Sequence, residues 1–264
     1  VSNEEPLAGG NLNPAVAKVG ANVHRTAGPW TPAVHQLLDH LAAAKYPAPR
    51  VVGVDDSGRE ILTFVPGRCV EPDYMDLVGT DDAMRRVGAL IADYHLAQES
   101  FVAPQDAQWR EEGRDPSGSS QIIAHNDLAP WNLIVDNDEW TFIDWDLAAP
   151  GRKMWDLAWA LHSFVGLWPD STLTSEQIAS RIAAFCDGAH LRNQDIPALL
   201  DVVIERTSDH AAMLRRRAAA GEEVFIAMVA EGHADVWESG CTFVRSQRTT
   251  WLKHLSAPRD NAHS

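Results

Sequence analysis

Residues 125–146 constrain this chain more than any other stretch: a polar loop, His-Asn-Asp-Leu-Ala-Pro-Trp-Asn, runs into two short apolar segments and ends in Asp-Trp-Asp. The apolar segments, Leu133–Val135 and Trp140–Ile143, are β-branched or aromatic and flank Asp136-Asn137-Asp138, a favourable turn sequence. The pattern predicts a β-hairpin. A hairpin brings the loop before its first strand and the residue after its second to the same end. Asp127, Asn132 and Asp144 are therefore expected to converge, although Asp144 is distant in sequence.

The three residue types suit phosphoryl transfer. Magnesium takes oxygen ligands in octahedral geometry, and in nucleotide enzymes it keeps waters and phosphate oxygens besides one or two protein groups. Asp144 offers a charged oxygen and Asn132 a neutral one, so they are the candidate Mg²⁺ ligands. Asp127, on the loop, is placed to accept a proton from a substrate hydroxyl. Pro130 stiffens the loop and His125 is positioned to anchor it from behind. Acidic loops are commonly turns that cap themselves, which explains Asp136 and Asp138 better than Asp127 and Asp144, since the latter flank the strands.

The octapeptide His125–Asn132 resembles the catalytic loop of the aminoglycoside phosphotransferase family, whose pattern is H-x-D-x-x-x-x-N. Ile143-Asp144-Trp145-Asp146 is similar to that family's counterpart of the kinase D-F-G motif. Asp156, in Met154–Ala158, resembles the aspartate with which the family braces its catalytic loop. Order and spacing agree over about thirty residues. The resemblance implies an α+β, two-lobed protein-kinase-like fold, shared with choline and homoserine kinases. A small β-rich nucleotide-binding lobe is expected over residues 1–65, and a larger, mainly helical catalytic and substrate-binding lobe over 66–264. It also implies that Thr63 to Val65, at the connection between lobes, meet the purine of ATP or GTP; a plain edge-strand role for them stays open.

Upstream, Gly9-Gly10 precedes a strand candidate at Ala15–Val19 and marks either a phosphate-covering turn or an ordinary hairpin. Val23-His24-Arg25, Val51–Val54 and Ile61–Val65 read as strands, with Pro66-Gly67 ending the last. Thr31-Pro32 predicts a helix start with Thr31 as its cap, and Thr80 caps a long amphipathic helix carrying a structural His95. Residues 103–120 read as an irregular surface loop. Thr174 and Gln177 form a capping-box pattern, and Ile196–Ala219 and Glu222–Ser239 read as further helices. Glu205, Asp209, Glu231, Asp235 and Glu238 on these helices line either an acidic cleft or a solvated face. The tryptophans around the motif are expected to be packing anchors, with Trp131 beside the site.

With 45% hydrophobic and 22% charged residues, the 264-residue chain has an ordinary globular composition. No run of about 18 apolar residues or signal-peptide pattern is present, so neither a membrane span nor export is expected. Cys69, Cys186 and Cys241 are scattered and odd in number, which fits a reducing cytoplasm. A formal charge of −15 argues against a nucleic-acid partner and is compatible with a small, cationic substrate, or equally with solubility alone.

One departure stands out. A kinase-like small lobe normally supplies a lysine on its third strand, paired with a glutamate on the next helix. Here Arg25 ends the strand, and the helix offers Val34 and His35. Arg25 is the candidate phosphate cation, with a different geometry from lysine. Two functions are therefore expected: a Mg²⁺-dependent kinase transferring the γ-phosphoryl group to a hydroxyl of an aminoglycoside-like antibiotic or metabolite, or a catalytically impaired kinase-like binding or regulatory protein. The intact Asp127, Asn132 and Asp144 set favours the first, and the missing lysine–glutamate pair the second.

Overall fold

A computed structural model describes residues 4–7, 15–70 and 72–256, so Gly9 and Gly10 lie outside the described residues. Five short strands open the chain: β1 (Glu4–Pro6), β2 (Val16–Val19), β3 (Asn22–Thr26), β4 (Val51–Val54) and β5 (Arg59–Thr63). They form one antiparallel sheet in the order β1-β2-β3-β5-β4. Arg25 on β3 stands directly opposite Glu60 on β5. The β5 strand ends at Thr63, two residues earlier than its apolar run suggests, and Val65 already belongs to the connection towards Pro66-Gly67.

Between β3 and β4 lies α1 (Thr31–Ala43), whose Val34, Leu37, Leu38 and Leu41 are buried. Its start corrects the sequence expectation. Trp30 occupies the cap position without a side-chain bond, while Thr31 is already helical and its Oγ1 accepts from Gly28 N at 2.9 Å.

After β6 (Arg68–Cys69), the long helix α2 (Asp81–Ala97) begins at the Thr80 cap, whose hydroxyl accepts from Ala83 N. Then follow β7 (Ile122–Ala124), β8 (Leu133–Asp136), β9 (Glu139–Phe142) and β10 (Ala149–Gly151). The β8–β9 pair is the predicted hairpin: Asp136 faces Glu139, leaving a two-residue turn with Asn137 at φ 49°. The remainder is helical: α3 (Lys153–Val165), α4 (Ser175–Gly188), α5 (Ile196–Ala219), α6 (Glu223–Ala230) and α7 (His233–Ser256). Thr174 and Gln177 close the expected capping box at the start of α4. The helix expected over Glu222–Ser239 is instead two helices, because Gly232 turns the chain at φ 88° and α7 restarts beyond it.

Helices α2 and α4 cross at glycines. A Cβ at Gly88 would meet Phe185 O at 2.2 Å, and one at Gly188 would meet Arg85 O at 1.9 Å. Larger residues there would force the helices apart. The main core gathers α1, α2, the hairpin, α3 and α4 around Trp145, which is fully buried beside Tyr46, Tyr94 and His125. A second apolar cluster joins Trp159 of α3 to Met213 and Leu214 of α5, Phe225 of α6 and Trp237 of α7. Among the described residues, no helix is long and apolar enough to cross a membrane.

His162, on α3, is buried with both ring nitrogens unpaired, edge-on to Trp168 at 4.2 Å. Burial alone pushes its pKa down to about 3. The folded state thus holds it neutral, while the unfolded chain protonates it near its ordinary value. Its contribution is complete above about pH 6.5 and is lost as pH falls towards 3, by up to about 1.4 kcal/mol per pH unit. We predict that His162→Leu flattens the decline of unfolding free energy between pH 7 and pH 5, read by urea denaturation. A decline as steep as that of the wild type would rule His162 out as its source.

Candidate active site

The catalytic-loop candidate leaves β7 and is held by Asp156 on α3, which is fully buried. Its carboxylate accepts from His125 N at 3.2 Å, Asn126 N at 2.9 Å and His95 Nε2 at 3.1 Å. Burial raises the pKa of such a group, but here the His95 bond and charge, His125 and the Asn126 amide outweigh it and hold the carboxyl below its ordinary value. His125 locks the loop from the other side. Its Nδ1 accepts from Asp127 N at 3.2 Å, so Nε2 carries the proton and donates to Ile143 O at 3.1 Å. Burial lowers its pKa and favours this neutral form. Asn126 sits at φ 65° and Asp144 at φ 59°, left-handed conformations that persist only where the surroundings enforce them.

The hairpin does what its sequence predicts. Ile143 N donates to Asn132 O at 2.9 Å, which sets Asp144 beside the loop. Asn132 Nδ2 donates to Asp127 Oδ2 at 2.7 Å and to Asp127 O at 3.0 Å, leaving its Oδ1 free of that contact. Two indoles also reach Asp127: Trp159 Nε1 donates to Oδ1 at 3.0 Å and Trp131 Nε1 to Oδ2 at 3.3 Å. Burial, then the charge of Asp144, raises the Asp127 pKa, against His125 and the two indoles. Trp131 is 43% exposed, at the mouth of the site.

Arg25 reaches this cluster from the sheet. Its Nη1 lies 2.8 Å from Asp144 Oδ1, its Nη2 2.6 Å from Asp146 Oδ1 and its Nε 2.5 Å from Glu60 Oε1. Burial works against its charge, but Asp146, Asp144 and Glu60 outweigh that and keep it firmly protonated. The basic–acidic pair sought on α1 is therefore present with its glutamate on β5, while α1 contributes His35, 2.9 Å from Glu60 Oε2. One guanidinium faces three carboxylates. Asp146 Oδ2 is buried without a partner, and its pKa is pushed up to about 6, first by burial.

These groups line one cavity of about 800 Å³. At one end Val16, Val23, Leu62, Phe64 and Val65 form an apolar slot, which Thr63 also lines. Arg25, Asp127, Asn132, Asp144 and Asp146 occupy its middle. The other end is walled by the second apolar cluster. Glu205, Asp209, Glu231, Asp235 and Glu238 do not line it; they pair with Arg152, Arg216, His233 and Arg215, so the acidic-cleft expectation gives way to the solvated-face one.

Arg206, a residue the sequence did not single out, is fully buried on α5. It donates to Asn126 O and Gly113 O, each at 2.6 Å, and its guanidinium lies 4.7 Å from the Trp155 ring. Burial lowers its pKa to about 10, so it remains charged. The stretch around 112–115 is likewise no bare surface loop: Asp115 is buried against Arg152 at 2.7 Å, and Gly113 O also accepts from Trp155 Nε1.

Removing the Arg25 side chain would leave Glu60 with His35 alone and strip Asp146 of its guanidinium partner. We predict that Arg25→Ala costs about 3 kcal/mol of folding stability, the scale for breaking a buried ion pair. Glu60→Gln in the same chain should recover part of that loss. Purely additive effects in a double-mutant cycle would deny the coupling.

A sequence profile described as a phosphotransferase enzyme family matches residues 101–200. A trifolitoxin immunity protein from Rhizobium leguminosarum bv. trifolii is 32% identical over 204 residues, covering 75% of this chain and 74% of that protein. Among solved structures, a choline/ethanolamine kinase family protein from Mesorhizobium loti aligns over 97% of this chain and 92% of its own, at 15% identity and TM-score 0.62. An amicoumacin kinase, in complex with AMP-PNP, Ca²⁺ and its ligand, aligns over 89% of this chain and 88% of its own, at 14% identity and TM-score 0.65. The GDP complex of an aminoglycoside 2′-phosphotransferase aligns over 95% and 93%, at 15% identity and TM-score 0.60. At these identities the structural likeness is one of fold, and the fold is the kinase-like one expected.

Proposed function

The chain belongs to the phosphotransferase enzyme family, and from that premise we propose that it transfers the γ-phosphoryl group of a nucleoside triphosphate to a hydroxyl of a small molecule. The observation that carries the reading is the meeting of Asp127, Asn132 and Asp144 on one cavity, with Asn132 Nδ2 2.7 Å from Asp127 Oδ2.

In this reading the purine enters the apolar slot beside Thr63 and Val65. Among the described residues, neither the N–H nor the carbonyl of Val65 is engaged, which suits a partner that brings its own donor and acceptor. Asp127 accepts the acceptor hydroxyl's proton as the oxygen–phosphorus bond forms and the bond to the nucleoside diphosphate breaks. Its raised pKa makes it a stronger base than an exposed aspartate. Trp159, Trp131 and Asn132 fix its orientation.

The donor set fits a divalent cation. Arg25 balances one of the three negative charges it faces, Asp146 Oδ2 is an orphaned buried oxygen, and Asp144 engages Arg25 through Oδ1 alone. Asn132, with its amide nitrogen committed to Asp127, presents its oxygen. No cluster of three or more His, Cys, Asp or Glu side chains forms a closed metal cage among the described residues. Mg²⁺ in nucleotide enzymes takes most of its ligands from phosphate and water and needs only one or two protein groups. Asn132 and Asp144 would hold it, and it would supply charge neutralisation on the phosphates. Arg25 completes the acidic cluster from the nucleotide side. With its Glu60 partner identified, the argument for an impaired protein loses its footing.

The 32% identical relative is named for immunity to trifolitoxin, and we place this chain in the same setting. Phosphorylating a hydroxyl of a toxic small molecule would add charge and bulk, which is antibiotic resistance by modification.

Two measurements test this function. In thermal-shift assays, ATP or GTP at a hundredfold excess over Kd should stabilise the protein by about 2.7 kcal/mol. EDTA or Asp144→Asn should abolish most of that gain; equal stabilisation with EDTA and with magnesium would remove Asp144 as a metal ligand. Asp127→Ala should lower kcat by about 10²–10⁴ with nucleotide affinity little changed. Transfer by that variant at the wild-type rate would remove Asp127 from the mechanism.

A further inference from the structure

The wall beyond Asp127 is aromatic. Trp159, which donates to Asp127, stacks on Trp237 with centroids 4.3 Å apart at 19°. His210 lies against both rings at 4.9 Å, and Phe225, Met213 and Met228 complete the lining. Aromatic walls serve two ligand chemistries: flat apolar bodies, and cations held over ring faces. Three observations separate them.

First, the ring faces already have cations. The Arg206 guanidinium lies 4.8 Å from the Trp159 ring, and that of Arg217 lies 4.4 Å from Phe225. Neither guanidinium lines the cavity, but each covers a ring face over which a ligand cation would otherwise sit. Second, the carboxylate of Glu112, which also borders the cavity, is held by Arg217 at 2.6 Å and Arg110 at 3.0 Å. Among the described residues, Asp127 is thus the single carboxylate lining this end without a cation of its own, and a polyamine needs several. Third, the chamber does not let its own histidine charge. Burial, with Arg206 and His233, pushes the His210 pKa down to about 3. A ligand ammonium would face the same desolvation and the same neighbours.

Resting on the phosphotransferase reading, we propose that the acceptor is an uncharged, hydroxyl-bearing molecule whose flat apolar ring lies against Trp159, Trp237 and Phe225. The wall supplies apolar area, and polar selectivity comes from the one hydroxyl that meets Asp127. A polycationic sugar or a quaternary ammonium alcohol would find those ring faces covered and the Glu112 carboxylate already paired. The formal negative charge of the chain does not by itself point to a cationic acceptor, since Glu112, which borders this end, is already paired.

The test uses the full chain, with tryptophan fluorescence and calorimetry, in the presence and absence of Mg²⁺ and AMP-PNP. The probes are neutral aryl alcohols (benzyl alcohol, tyrosol and 2-naphthalenemethanol), with choline and kanamycin as cationic arms. Neutral probes should bind saturably, change tryptophan emission and bind at least about tenfold more tightly than either cation. Met228→Glu adds a carboxylate at a half-buried position. It should weaken neutral probes about tenfold and leave AMP-PNP affinity within about twofold. Trp237→Ala should act in the same direction if it folds, and Met228→Glu decides the matter if it does not. Tighter binding of choline or kanamycin overturns the inference. So does the absence of saturable neutral binding below about 10 mM. In both cases intact Mg²⁺-dependent AMP-PNP binding leaves the phosphotransferase reading standing. Neutral binding without any nucleotide binding overturns both.

Discussion

Arg25 brings one positive charge from the β-sheet into a nest of three carboxylates, two of which follow the β8–β9 hairpin. Burying a charge is tolerable only where its partners and hydrogen bonds are in place, so this guanidinium fixes the distance between the sheet and the helical part of the chain. It also holds Asp144 at a left-handed backbone conformation that a β-strand exit would not choose alone. The carboxylate thereby faces the cavity rather than bulk water. Lysine would offer one ammonium where arginine offers a fork that meets Asp144, Asp146 and Glu60 through separate nitrogens. The cost is a cluster with more negative than positive charge, and a divalent cation or a nucleotide-bound metal answers that imbalance.

The catalytic loop is held between opposite charges on the helical side. Asp156 accepts hydrogen bonds from the amides of His125 and Asn126, and Arg206 donates to the Asn126 carbonyl. A peptide at positive φ is thus pinned at its N–H by an anion and at its C=O by a cation, which removes the ordinary route by which such strain relaxes. Neither Asp156 nor Arg206 touches the cavity, yet both decide where Asp127 stands.

The hairpin and the converging Asp127, Asn132 and Asp144 were legible in the sequence because local rules dominate that stretch, whereas the bracing role of Asp156 came from the resemblance. The kinase-like fold followed from the resemblance carried by the same stretch. What stayed hidden depends on long-range placement. Glu60 is not legible from the helix after β3; its signal lies in the cross-strand register of β3 and β5. Arg206 looks, in sequence, like Arg215, Arg216 or Arg217, and only packing separates a buried loop tether from surface pairs. Residues 111–115 have the composition of a surface loop, but their backbone carbonyl and Asp115 side chain are consumed by α3 and α5. Gly232 breaks a helix that periodicity alone would continue.

Trp159 is where these strands of the structure meet. Its indole N–H orients Asp127, one neighbour is the Arg206 guanidinium that holds the loop, and another is Trp237 of the chamber wall. Burial by these rings raises the basicity of Asp127, and the same burial limits water at the carboxylate. In the proposed reaction, a carboxylate of raised pKa beside the nucleotide would also serve hydrolysis wherever water can replace the acceptor. An apolar acceptor that covers Trp159 and Trp237 would close that route by occupying the space from which water approaches. In the proposed reaction, the basicity of Asp127 and the preference for an apolar acceptor are two consequences of one aromatic wall, and a polar chamber would match this aspartate poorly.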